Sequence, residues 1–193
     1  MARPREFNEK VAMDRALQVF WDRGYEATSL CDLTGAMEIS KSSFYDTFSS
    51  KHDLFLACLD LYSDTQRKWV LSVLEGERPA RESIASVFEF VIDTVIEDGD
   101  LRGCFLGNCA VEVGQHDPAV AKRVTAGLEY FTGAFERTLK RGVKDGQFTA
   151  IEDIRSVATF LVSSLNGLRI TAMASPDRKK LEGVAKIMMS NIH

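Results

Sequence analysis

Only four prolines, at positions 4, 79, 118 and 176, interrupt 193 residues, and the intervals between them repeat apolar side chains every three or four residues rather than every second one. Proline is excluded from helix interiors but tolerated in a first turn or between helices. The spacing therefore leaves room for helices of twenty residues or more and predicts an all-α chain. After Pro118, Val120, Val124, Leu128, Phe131, Phe135, Leu139 and Val143 share one face. Lys122, Arg123, Glu129, Glu136, Arg137, Lys140 and Arg141 take the other, with Gly142 and Gly146 placed to end the helix. Similar patterns predict helices at about 51–74 and 80–97. Thr149 and Glu152 read as a capping box for a helix whose apolar residues, from Ile154 to Ala172, cover more than one stripe. Ser175-Pro176 reads as N-cap and first-turn proline of a last helix carrying Leu181, Val184, Ile187 and Met188.

The first fifty residues have a different grain, with short helices and tight connections. Residues 8–23 form an amphipathic helix (Ala12, Ala16, Val19, Phe20) closed by Gly24. Thr28 reads as N-cap of a second, containing Leu30 and Leu33, and Ser40 as N-cap of a third, followed by Phe44, Tyr45 and Phe48. Ser50 and Asp53 form a capping-box variant at the start of the long helix that leaves this region. Two short helices across a four-to-five-residue turn, with a longer helix ahead to complete their core, describe a helix-turn-helix module. Its second helix would enter a DNA major groove by its N-terminal end, where Ser40, Lys41, Ser42 and Ser43 offer groups suited to base edges and phosphates.

Phe20-Trp-Asp-Arg-Gly24-Tyr-Glu-Ala-Thr28, followed by Ile39-Ser-Lys-Ser-Ser-Phe-Tyr45-Asp-Thr-Phe48-Ser-Ser-Lys51-His-Asp-Leu54, resembles in order and spacing the DNA-binding domain of the TetR/AcrR family of transcriptional repressors. The resemblance covers about residues 8–56. It implies a helix-turn-helix DNA-binding domain over residues 1–50 and a larger helical ligand-binding and dimerisation domain over 51–193. It assigns Thr28, Tyr45 and Lys51 to phosphates, Lys41, Ser42 and Ser43 to the groove beside the cap Ser40, and Arg3 and Arg5 to a basic arm. Where the family turn usually carries Ala-Gly, this chain has Met37-Glu38, and glutamate lacks glycine's ease at positive φ. Ser42 replaces a frequent glycine. Arg102-Gly-Cys104-Phe-Leu-Gly-Asn108-Cys-Ala-Val-Glu112 resembles a segment of some AcrR-like regulators, in certain of which the cysteine at the Cys104 position senses electrophiles or oxidants.

Charge alone does not announce DNA binding: the chain carries a net −4, and residues 1–51 hold seven Lys/Arg against eight Asp/Glu. A local interface depends on where the charges sit. Four cysteines without a C-x-x-C pair and three scattered histidines (His52, His116, His193) argue against a zinc site, and no metal or cofactor is expected. Arg102 and an expected helix start beside Cys104 both favour a reactive thiolate there, whereas Cys31, Cys58 and Cys109 read as core residues. No apolar signal region opens the chain and no uninterrupted run reaches the ~18 apolar residues of a membrane span, so a cytoplasmic protein is expected. The reading is a homodimer, pairing through Leu161, Leu165, Leu168, Val184 and Met188, that binds a palindromic double-stranded operator as a repressor and is released by a small-molecule inducer or by stress. The alternatives are an all-α ligand-binding or scaffold dimer that never touches DNA, and an enzyme. The latter is disfavoured by the lack of G-x-S-x-G, H-E-x-x-H, Walker or dinucleotide motifs.

Overall fold

A computed structural model describes residues 7–149 and 151–192, so Arg3 and Arg5 lie outside the described residues. Among the described residues there are nine helices and no strands: α1 (Glu9–Arg23), α2 (Leu30–Met37), α3 (Lys41–Thr47), α4 (Lys51–Leu74), α5 (Ala80–Ile96), α6 (Phe105–Glu112), α7 (Pro118–Lys144), α8 (Ile154–Ala174) and α9 (Arg178–Ser190). Three of the four prolines are described; Pro118 opens α7, while Pro79 and Pro176 lie between helices.

Packing divides the chain into two compact units, one of residues 1–64 with 105–124, the other of 65–104 with 125–193. The first therefore reaches past residue 50. Its core shows why: Phe20 packs edge-on against Phe55 at 5.0 Å, Phe55 against Phe105 at 6.0 Å, and Tyr62 against Phe105 at 5.5 Å. These rings from α1, α4 and α6 form one aromatic cluster, in which Phe20, Phe55 and Phe105 are fully buried.

In the second unit α5 packs on α8 and α9, around a core that includes Val87, Phe88, Phe135, Leu161, Leu168 and Leu181. Gly142, within α7 rather than at its end, gives way to the ring of Phe148, which a Cβ at this position would meet at 2.3 Å. The helix stops two residues later, before Gly146 at φ +70°.

Two sequence expectations about helix starts are corrected here. α8 is capped by Asp153, whose carboxylate accepts from the Ser156 N–H at 2.9 Å, not by Thr149. Asp177 caps α9 by accepting from Lys180, while Ser175 is the C-terminal cap of α8. In both places an aspartate nearer the helix takes the role, because its oxygen reaches the orphan N–H groups two or three residues on.

α8 is also, by length and composition, apolar enough to cross a membrane, with mean hydropathy 1.3 over its best stretch. Ser156, the Ser163-Ser164 pair, two threonines and Asn166 interrupt its apolar runs without lowering that mean much. Leu161, Val162, Leu168 and Ala172 on it are buried in the protein's own core.

Candidate nucleic-acid interface

The first three helices are held at their ends by short-range side chains. Asn8 Oδ1 accepts from the N–H groups of Lys10 and Val11 at 3.1 and 3.3 Å to start α1, and Gly24, at φ +82°, ends it. Ser29 and Asp32 form a reciprocal capping box on α2. Ser29 is the cap in place of Thr28, which is 1% exposed and donates its hydroxyl to the Gly24 carbonyl at 2.6 Å. That burial corrects the expected phosphate contact: the Thr28 hydroxyl is committed to closing the α1–α2 turn.

The turn between α2 and α3 passes through Glu38 at φ 57°, ψ 42°, the left-handed region that the missing glycine would have occupied without cost. An L-residue there costs roughly 1 kcal/mol. Glu38 is fastened by Arg15 of α1, Nη1 to Oε2 at 2.7 Å, which ties the turn to the supporting helix.

α3 then begins at Ser40, whose Oγ accepts from the Ser43 N–H at 3.1 Å and lies 2.9 and 3.0 Å from the hydroxyls of Ser42 and Ser43. Phe44 and Phe48 turn inward, 0% and 7% exposed, so the opposite face is fixed toward solvent: Ser40, Lys41, Ser42 and Tyr45 are exposed and Ser43 half-buried. Hydroxyls both donate and accept, so this row can meet either kind of base edge, while Lys41 adds a cation beside it. Lys51, in the first turn of α4, holds its ammonium 4.3 Å over the Tyr25 ring. Burial and the neighbouring Glu26 and Asp117 carboxylates keep the Tyr25 phenol protonated by raising its pKa. Ser50 starts α4, accepting from the Asp53 N–H at 3.0 Å.

A model described as "Bacterial regulatory proteins, tetR family" matches residues 12–58, and one described as "Tetracyclin repressor-like, C-terminal domain" matches residues 80–188. The chain belongs to the TetR family. Among solved structures, a cysteine-substituted form of the TetR family transcriptional regulator CifR, complexed with a 26-bp double-strand operator DNA, matches at TM-score 0.88 and 32% identity, covering 100% of both chains. The uncharacterised HTH-type transcriptional regulator YezE of Bacillus subtilis is 29% identical over 98% of each chain. The HTH-type transcriptional repressor ComR of Escherichia coli is 27% identical over 95% of this chain and 88% of its own. The helix-turn-helix module of this TetR-family protein makes it a DNA-binding transcriptional regulator.

The second unit of this regulator encloses a cavity of about 30 Å³. Phe131, Phe135, Val162 and Leu165 supply apolar walls, and Gln66, Cys104, Asn166 and Arg169 the polar ones. Cys104 is 7% exposed, and Arg102 makes a two-pronged pair with Asp100 at 2.9 and 2.8 Å. The thiol is thus enclosed in the cavity wall rather than offered to solvent. Cys58 and Cys109 are buried as expected, whereas Cys31 is exposed, a correction that follows from its place on the outer side of α2.

The expected pairing residues differ in exposure. Leu161 and Leu168 are fully buried by their own unit, and Leu165, Val184 and Met188 lean half-buried on the same core. The apolar residues left uncovered on α8 and α9 are Phe160, Ile170, Met173 and Ile187. Apolar periodicity identifies which residues on a helix are apolar; when the helix has two apolar faces, it does not rank them.

Proposed function

We propose that this protein is a repressor that works as a homodimer on a two-fold operator in the cytoplasm, reading it with residues 40–45 and releasing it when a small molecule enters the cavity of the second unit. In place of the expected boundary after residue 50, the first unit, which includes Lys51, serves the DNA, and the second, residues 65–104 with 125–193, the ligand and the partner. The observation that carries the reading is the outward row Ser40, Lys41, Ser42 and Tyr45 on a helix whose inner face is locked by Phe44 and Phe48. The operator complex of CifR and the repressor description of ComR favour it.

Pairing through Phe160, Ile170 and Ile187 would cover the uncovered face of α8 and α9, where Gly167 and Gly183 have open space above them for close helix approach. A two-fold protein then matches a two-fold site.

The cavity holds one or two waters at most. Any larger effector must part its walls, and an effector that binds only the parted form shifts the population of the whole protein. Cys104 in that wall supports a second route, in which an electrophile or oxidant small enough to enter modifies the thiol.

A band shift with genomic fragments tests the reading. Lys51→Ala should weaken binding on every sequence and lower the salt slope by about one unit. Lys41→Ala should weaken it mainly on the operator. Operator binding left intact by the Tyr45→Phe, Lys51→Ala double variant would overturn this placement.

A further inference from the structure

Residues 105–124 belong to the first unit although they lie far from its other residues in the sequence. Besides its share of the aromatic cluster, the segment is fastened there by polar contacts. Asp117 meets His52 Nε2 at 2.6 Å, Arg123 meets Asp60 at 3.0 Å, and the Glu112 carboxylate accepts the backbone N–H groups of Tyr25 and Glu26 at 3.1 and 3.0 Å.

The third fastening differs in kind, because it grips backbone. Tyr25 and Glu26 lie in the turn between α1 and α2, outside both helical ladders, and Glu112 takes both their N–H groups at once. Gly24 lets the carboxylate approach: a Cβ there would stand 2.7 Å from Glu112 Oε1. The same Tyr25 supports the Lys51 ammonium on its ring. One chain of contacts therefore runs from the last residue of α6, through the Tyr25 backbone, to the lysine that meets DNA phosphate in the reading above.

We propose that Glu112 is a positioning residue for DNA recognition: its grip on two backbone N–H groups fixes the turn and, through Tyr25, the placement of Lys51. The inference rests on Lys51 meeting DNA phosphate.

The test uses the full-length protein and the duplex that the wild type selects from a random library. Glu112→Ala removes both acceptors and should weaken operator binding about tenfold. Glu112→Gln, which keeps one oxygen but turns an amide donor toward the second N–H, should fall between it and wild type. In a Lys51→Ala background, Glu112→Ala should cost less than about twofold more, since a positioning residue has no effect once the group it positions is gone. Melting curves establish that each variant is folded, and the glutamine variant carries the test if the alanine one is not.

Wild-type affinity in Glu112→Gln and Glu112→Ala, or additive losses with Lys51→Ala, overturns the positioning role. A Lys51→Ala protein that binds operator like wild type counts against the phosphate contact itself, whereas a Lys51→Ala loss with no Glu112 effect counts against the positioning role alone.

Discussion

The two units end their helices by different means. In the first, caps come from the next few residues: Asn8 for α1, Ser29 for α2, Ser40 for α3. In the second, α8 and α9 also start on adjacent aspartates, Asp153 and Asp177, but C-terminal ends are closed across long stretches of chain. The Leu74 carbonyl at the end of α4 accepts from Thr138 Oγ1 at 3.1 Å and Arg141 Nη2 at 3.0 Å, while Arg141 also reaches the carbonyls of Gly76 and Arg78. Arg81 holds the carbonyls of Met189, in the last turn of α9, and of Ile192, just beyond it. Short helices have too few turns to survive frayed ends, so their caps must be local and are written beside them. Long helices draw stability from packing, and their ends can wait for residues that arrive with the fold.

That difference sets the size of the effects expected from single changes. The largest belong to the packed unit. Leu161→Ala should cost roughly 2–5 kcal/mol, since Leu161 is fully buried. Ile170→Glu, on the same helix but 67% exposed, should leave the folded chain stable and lower its tendency to pair. Denaturant melts and sedimentation separate the two. Equal destabilisation by both would mean that the outer face of α8 is covered within the chain.

Next come the caps themselves. Arg141→Met should cost about 2 kcal/mol, because it strips a charged donor from three carbonyls. Ser40→Ala should cost about 1 kcal/mol. If the serine change proves the larger, the contrast between local and long-range closure fails.

The same contrast explains what was legible in the sequence. α1, α3, α4, α5 and α7 follow from periodicity, proline placement and adjacent caps, with bounds within a residue or so. The outward row Ser40 to Tyr45 follows from the same local pattern. Thr28 and Ser29 offer the same capping chemistry one position apart, and only the burial of Thr28 decides between them. The starts of α8 and α9 are not legible, because Thr149, Asp153, Ser175 and Asp177 are all competent caps and the choice depends on where packing begins the helix. Glu112 ends the Arg102–Glu112 segment that the family resemblance picks out, but its role has no local signal: its partners lie 86 and 87 residues away, and an exposed glutamate at a helix end has no pattern of its own.

Glu38 sharpens the comparison from the other side, as a local conflict inside the locally specified unit. Replacing it by glycine relieves about 1 kcal/mol of left-handed strain and forfeits an exposed pair with Arg15 worth a few tenths of a kcal/mol. Glu38→Gly should therefore stabilise the protein by about 0.5–1 kcal/mol, read as a rise of about 2 °C in Tm. A fall in Tm would mean that the Arg15 contact does more than neutralise charge, and that the turn depends on it.

The smallest expected effect is one in which the two units behave alike. Asp32 on α2 and Asp153 at the start of α8 each accept from a serine, Ser29 and Ser156, and in each case the serine side-chain hydrogen bond is the leading reason the carboxyl titrates below its ordinary range. A carboxyl whose folded pKa is depressed contributes stability that is complete above its unfolded value near pH 4 and is lost as pH falls through the lowered folded value. Both groups are at the surface, so the loss should be slight and should appear only below about pH 4, with none between about pH 5 and 7. Carboxyl resonances followed by NMR should titrate late for both aspartates, and Ser29→Ala and Ser156→Ala should each return only their own partner to the ordinary range. If Asp153 titrates normally while Asp32 does not, the cap of α8 is not held in solution as that of α2 is, and local capping would belong to the DNA-reading unit alone.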